Sequence, residues 1–463
     1  MRGRRGLSLW LALGSASAMA GCAVGPDYQR PEASVPADYK EVKGWKIAVP
    51  RDDLDKGNWW SIYHDPVLDG LEGRVEINNQ TLQAAEAAYR EAHDVVAEAR
   101  AQLFPTLTAD PSMTRTNATH WLATIEGVAT WEPDLWGRVR RTIESDSSAA
   151  QSSAADIVNA RLSAQASLAT DYFELRESDA MQDLLDRTIV QYKRSLQIAQ
   201  NQYNAGTAAR SDVITAQTQL LTLQAQAINI GVARAQYEHA IAVLTGTPPA
   251  DLSLKHGSLS GTIPTVPVGL PSELLERRPD VAAAERQMQQ QNAQIGVATA
   301  AYYPTITLSG TEGTAGYPFV SGAGFTPFWT LGASAVQTLF NGGLTEAQVA
   351  AAGAAYDQSV ATYRQTVLSA FQQVEDPLAA LRIQRAQAIA EDAAVRAAEQ
   401  AVQIALNEYQ AGTQAYTAVV TAQTTALADE EAAITIREQR LAATVSLIEA
   451  LGGGWDASQL PVD

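Results

Sequence analysis

Tyr203-Asn204-Ala205-Gly206-Thr207 recurs as Tyr409-Gln410-Ala411-Gly412-Thr413, and these two pentapeptides decide the fold. A heptad stripe runs up to each of them. In the first copy it is Leu185, Ile189, Tyr192, Leu196, Ala199 and Tyr203; in the second, Val395, Ala398, Val402, Ala405 and Tyr409 keep the same phase. Beyond the turns the stripe resumes with Val213, Ala216, Leu220, Leu223, Ala227 and Ile230, matched by Val419, Ala422, Ala426, Ala433 and Ile436. Apolar residues every 3.5 positions mark helices that supercoil left-handedly along a seam. A glycine between two such helices supplies the left-handed cap at which the chain reverses. The chain therefore holds two long antiparallel helical hairpins related by an internal duplication.

Composition sets the compartment and excludes several functions. The 463 residues carry a formal charge of −18, which argues against nucleic acid as a partner, because phosphate recognition needs a basic patch. The single cysteine, Cys22, rules out an intrachain disulfide. Arg2, Arg4 and Arg5 precede an apolar run from Leu7 to Ala20 that is too short for a permanent membrane helix. The run ends in Met19-Ala20-Gly21-Cys22, which resembles a bacterial lipobox, where the thiol is acylated and becomes the new N-terminus. An ordinary signal peptide with a chance cysteine is the alternative. Ala23 in place of aspartate after the cysteine resembles lipoproteins sent to the outer membrane. Loss of 1–21 removes three arginines and no acid, so −18 becomes −21.

In chain order, 1–21 reads as signal peptide and 22–58 as a proline-rich arm extended from the lipid. The first repeat spans 59–246, a connector 247–270, the second repeat 271–452 and a tail 453–463. Trp59-Trp60 and Asp65-Pro66 open the ordered part, and a helical pattern over 78–103 stops at Pro105. Then the period changes to two. Trp121, Ala123, Ile125, Ala129 and Trp131 alternate with the mostly polar Leu122, Thr124, Glu126, Val128 and Thr130. The rise from Trp121 to Trp131 covers about 23 Å along a membrane normal for a strand tilted by about 45°, close to the apolar band of an outer-membrane barrel. Trp329, Leu331, Ala333, Ala335 and Leu339 repeat the pattern, and partner strands begin at Thr106 and Thr305. Trp121, Trp131 and Trp329 are the candidate interface aromatics. A soluble sandwich with one wet face would show the same alternation; the lipid anchor and the girdle spacing favour the membrane. Pro111 is expected to interrupt the first strand and to go with a short outer loop. The connector, with its apolar alternation, is expected to be partly strand.

A long helix follows each strand pair, over 138–203 and 343–409, each about 100 Å at 1.5 Å per residue. The returning helices, 208–245 and 414–451, are half as long, and the helices before the strands supply the missing half. Two short helices thus stack end to end beside one long helix, twice over, making a rod. Pro271-Ser272 and Pro279-Asp280 announce the second stack. Four strands cannot close a barrel, and an open sheet edge cannot face lipid, so the architecture demands an oligomer.

At this point the chain resembles the TolC-like outer-membrane efflux proteins of the NodT-type lipoprotein branch. The resemblance covers nearly everything from Cys22 to Leu451. It rests on Trp59-Trp60 with Asp65-Pro66, Leu103-Phe104-Pro105, Trp131-Glu132-Pro133-Asp134-Leu135-Trp136-Gly137, Leu270-Pro271-Ser272 through Arg277-Arg278-Pro279-Asp280, Phe340-Asn341-Gly342-Gly343, and the Ala-Gly-Thr turns. It implies a mainly α fold with a transmembrane β part: a homotrimer forming a twelve-stranded barrel continued by an α-helical tunnel in the periplasm. It also implies a periplasmic adaptor protein and an inner-membrane pump of the resistance-nodulation-division type. Ala205, Gly206, Thr207, Ala411, Gly412 and Thr413 would dock the adaptor. The family's tip latch maps to Asp212 and Tyr409, while Gln414 stands where arginine is expected. Ala418 and Thr421 replace the acids of a cation-binding ring.

Other functions have less support. His64, His93, His120, His239 and His256 show no metal-ligand spacing, and no Gly-x-Ser-x-Gly elbow or phosphate loop is present, so neither an enzyme nor a metal site is expected. The expected prosthetic content is the lipid on Cys22 and no cofactor. A periplasmic coiled-coil scaffold lipoprotein would explain the heptads but not the girdled strands. Within the channel class, secretion of protein or polysaccharide is the alternative to drug efflux.

Overall fold

The computed structural model describes residues 23–33, 35–36, 38–42, 58–115, 120–259, 263–264, 266 and 277–453. Its helices are α1 (Pro66–Asn78), α2 (Gln80–Ala101), α3 (Arg138–Asn204), α4 (Arg210–Leu244), α5 (Pro279–Ala300), α6 (Leu344–Gln410) and α7 (Tyr416–Ala450). The strands are β1 (Thr106–Thr114), β2 (Leu122–Trp131), β3 (Thr305–Gly316) and β4 (Thr326–Val336). The two long helices α3 and α6 have 67 residues each, and α4 and α7 have 35 each. The helices form one layer in which α3 lies between the α2/α4 stack and the α5/α7 stack, with α6 on the outer side of α5/α7.

The stacking joints are tight. A Cβ at Gly246 would lie 2.2 Å from the Asn78 carbonyl oxygen, and one at Gly452 would lie 2.1 Å from that of Arg277. Only glycine lets the end of α4 or α7 meet the incoming chain this closely, and both glycines have positive φ. The first joint falls at the start of the expected helical pattern over 78–103, which is the single helix α2. The chain breaks at Asn79, whose side chain caps α2 through Leu82 N and donates to the Leu244 carbonyl. Before that break stands α1, which the pattern did not announce because Gly70 and Gly73 dilute its periodicity. Asp65 caps it, accepting from Val67 N at 2.9 Å.

Around the joints lies the core. Trp59 and Trp60 meet edge to face, and Leu68, Leu71 and Val75 of α1 pack with Tyr172, Phe173 and Leu175 of α3 and with Val374 and Leu378 of α6. Pro377 lies inside α6 at this level and removes one backbone donor from its ladder. Asp179, fully buried, holds the connector to the rod. It accepts from Arg176 at 2.8 Å, Arg234 at 2.7 Å and the Gly257 amide at 2.9 Å, with His256 Nδ1 at 3.2 Å. The connector itself is a 3-10 turn at Pro249–Asp251 followed by irregular chain. No strand occurs there among the described residues: its backbone is taken by side chains such as Glu238, which accepts from Leu254 N, rather than by a sheet.

The sheet runs β1-β2-β3-β4, all antiparallel. Pro111 does not interrupt β1; it pairs with Ile125 inside a continuous strand. An edge strand tolerates proline because its outward amide has no partner within the sheet. The first hairpin connection, 115–121, is shorter than the second, 317–325, and 116–119 lie outside the described residues.

Candidate functional site

At the sheet, the register fixes which side chains share a face. Trp131 pairs with Leu308, Ala129 with Leu107, Gly310 with Leu331, and Glu312 with both Gly127 and Trp329. Alternation therefore gathers Leu107, Ile125, Trp131, Leu308, Trp329 and Leu331 on one face, all exposed in the single chain. Thr106, Thr108, Asp110, Glu126, Thr130, Thr307, Ser309 and Thr330 lie on the other. Trp121 continues the apolar side just before β2, with the Arg115 guanidinium 5.8 Å from its ring centre. Trp131 donates to the Leu103 carbonyl at 3.0 Å, fixing it where α2 enters the sheet. Glu312 is the one acid on the apolar face. It escaped notice in the sequence because the alternation was followed only as far as Ser309, whereas β3 continues to Gly316.

Below the sheet, Trp136 stacks on Tyr303 at 4.9 Å and donates to the Pro304 carbonyl at 2.8 Å. Asp134 accepts from the amides of Val139 and Arg140 at 3.0 Å each and starts α3. Against this foot lies the arm. Ala23 packs on Gly137, and Val24 N donates to the Trp136 carbonyl at 3.0 Å. Arg141 holds Asp27 at 2.8 Å, and Arg30 reaches Tyr363 at 3.1 Å. Further along the described part of the arm, Glu375 accepts from the amides of Lys40 and Glu41. Cys22 itself lies outside the described residues, and its neighbour Ala23 sits at the base of the sheet.

At the far end, both pentapeptides close as Schellman turns. Thr207 N donates to Gln202 O and Thr413 N to Glu408 O, each at 3.0 Å, with Gly206 at φ 75° and Gly412 at φ 72°. Ala205, Gly206, Thr207, Ala411, Gly412 and Thr413 are all exposed. The Tyr409 hydroxyl donates to Asp212 Oδ2 at 3.3 Å, joining the two hairpins. The Tyr409 phenol is pushed up to about 12, by burial first and then by the Asp212 carboxylate. Its ring meets Tyr416 edge to face at 5.1 Å. Gln414 is exposed, and no hydrogen bond ties it to this pair among the described residues. Two further links were not foreseen: Gln202 donates to the Gln410 carbonyl at 3.0 Å, and Gln423 donates to Ser195 at 2.8 Å in a buried position. Ser195 and Gln423 each sit one residue off an unbroken stripe, beside Leu196 and Ala422, so the heptad period carried no signal of them.

The outer membrane efflux protein model matches residues 73–247 and 270–453, one segment for each half of the duplication. The chain belongs to that family. It is 30% identical to the toluene efflux pump outer membrane protein TtgC of Pseudomonas putida, over 94% of this chain and 93% of that one. It is 29% identical to the pyoverdine export outer membrane protein OpmQ of Pseudomonas aeruginosa, over 90% of this chain and 91% of that one. Among solved structures it superposes on the outer-membrane channel OprN with a TM-score of 0.85 at 27% identity, covering 94% of this chain and all of that one. The protein is thus an outer-membrane efflux channel, a transport component whose helical part extends into the periplasm. Among the described residues no helix is long and apolar enough to cross a membrane.

Proposed function

We propose that three copies of this chain form the outer-membrane duct of a tripartite pump that exports small, mainly apolar compounds. The observation that carries the reading is that both layers of the molecule stop at unpaired edges. The sheet ends at β1 and β4, and the helical layer ends at α6 and at the α2/α4 stack. At these helical edges apolar side chains remain exposed: Ile214, Leu221 and Ile228 step by sevens along α4, and Leu368, Ile383 and Ile404 lie along α6. A second heptad seam on the outside of α4 needs a second partner helix, and a further copy supplies α6. Closing the sheet and the helical layer around one axis satisfies both edges at once.

The apolar face carrying Trp121, Trp131 and Trp329 then meets lipid, and the threonine-rich face lines the pore. Ala23 at the foot of the sheet supports acylation of Cys22, since a lipid there enters the leaflet that the sheet already spans. The exposed Ala-Gly-Thr turns face the inner membrane, where an adaptor and a resistance-nodulation-division pump would meet them; the pump supplies the energy, and the channel needs no cofactor. Toluene, solvents and antibiotics in the names of the relatives support small-molecule cargo. The test is reconstitution in a host lacking its own outer-membrane channel. Co-expression with the adaptor and pump encoded beside this gene restores resistance to solvents and apolar antibiotics, and the channel without the pump does not. Resistance that stays absent with the complete set overturns the reading.

A further inference from the structure

Just below the joints, where α7 packs against α3 beside α4, the contact is crowded with acids. Asp171, Glu174 and Glu177 follow one another at three-residue steps along α3, each half-buried. Glu438 of α7 is 6% exposed and turned into that row, where the charges that act on it are those of Glu177 and Glu174. Its Oε1 is buried and has no hydrogen-bond partner. Thr435 of α7 donates to Glu177 at 2.8 Å, and Tyr237 of α4 donates to Glu174. No cation is among the influences on Glu438, Glu174 or Asp171. The charges that act on Arg440, two residues further along α7, are those of Arg385 of α6, Arg437 and Asp392. At about 100° per residue, Glu174 and Glu177 lie on the side of α3 turned away from Arg176, which serves the connector.

A carboxylate buried among like charges is relieved by a counter-ion or by a proton. Among the described residues no group of His, Cys, Asp and Glu is arranged to hold a metal ion. We propose that Glu438 is held protonated where it is buried beside Glu177 and Glu174, so that the contact between α3 and α7 is a proton-dependent clasp. Burial, and then Glu177 and Glu174, push Glu438 up to about 7, and burial pushes Asp171 up to about 6. The sign follows. A carboxyl group raised above its unfolded value favours the packed state most below that value, and the gain is lost as pH rises through about 7. The clasp is closed in mild acid. It loosens in mild alkali, when a second ionised oxygen faces Glu177.

The experiment uses the full-length protein in its native oligomer, extracted from membranes, and needs no transport activity. Infrared difference spectra recorded between about pH 6 and about pH 8 are expected to show a protonated-carboxyl band that disappears on titration. The component of that band titrating at about 7 is missing in Glu438→Gln, which imitates the protonated form in size and hydrogen bonding, whereas the lower component from Asp171 remains. In Glu177→Gln the Glu438 component persists but titrates toward the ordinary carboxylate range, because one like charge is gone. Amide exchange in 431–445, corrected for intrinsic rate, should rise several-fold across the same interval in the parent and stay flat in Glu438→Gln. Absence in the parent of a component titrating at about 7, its survival in Glu438→Gln, or identical exchange profiles in the two proteins overturns the proposal.

Discussion

The joint region, where the connector is anchored to the first half, and the tip, where the two halves of the duplication meet, are built on opposite principles. At the joint a fully buried Asp179 gathers Arg176, Arg234, His256 and a backbone amide. Nearest the turns the polar ties between the hairpins are one phenol–carboxylate contact of 3.3 Å and one bond from Gln202 to the Gln410 carbonyl at the surface, with the buried Gln423–Ser195 bond lying further in. A buried charge with several donors cannot lose one partner cheaply, whereas a contact at the edge of water can be exchanged for water. The joint is made to hold and the tip to let go. A gate at the periplasmic end, which the family resemblance implies, would need that division.

The largest effect is expected at the joint. Asp179→Ala leaves the buried Arg176 and the partly buried Arg234 without their carboxylate, at a cost of about 3–5 kcal/mol. Thermal unfolding of the detergent-extracted protein should shift sharply downward, with new proteolysis near 254–257; an unchanged melting profile would break the contrast with the tip. Next comes the double replacement of Gly206 and Gly412 by leucine. Nothing lies within 4 Å of a Cβ at either site, so the oligomer should survive, while each positive φ costs about 1–2 kcal/mol and the turns lose their shape. Resistance should vanish with assembly intact; retained efflux would show that these turns do not dock the adaptor.

Smaller again is the latch. Asp212→Ala or Tyr409→Phe removes a hydrogen bond to a charged group, worth about 1.5–3 kcal/mol when shielded and less at this half-open position. Single-channel conductance in planar bilayers should rise and large antibiotics should enter more easily. Gln414→Arg, which restores bidentate pairing near Asp212, should lower conductance below the parent. If none of the three moves, seam packing and the buried Ser195–Gln423 bond keep the tip shut. The smallest effect is expected from Cys22→Ser. Mass spectrometry of the parent should show an acylated N-terminal Cys22, and the substitution should impair sorting more than conduction, because the sheet anchors the protein independently.

The sequence by itself determined every element whose signal is a local period. The heptads with their glycine turns gave both hairpins. The alternation from Trp121 to Trp131 gave β2 within a residue, and the Asp212–Tyr409 pair was legible through resemblance alone. What the tertiary structure decided is what a period does not encode. Asn79 ends α1 and starts α2 because its side chain has Leu82 and Leu244 to bond, a condition met only once α4 has returned. Pro111 stays in a strand because β1 lies at an edge. Glu312 falls on the apolar face because register, not composition, assigns its side. Asp179 and Glu438 look alike as acids on amphipathic helices. Only the packed fold gives one a ring of donors and the other a row of like charges, because burial and charge sum over neighbours that are distant in the chain.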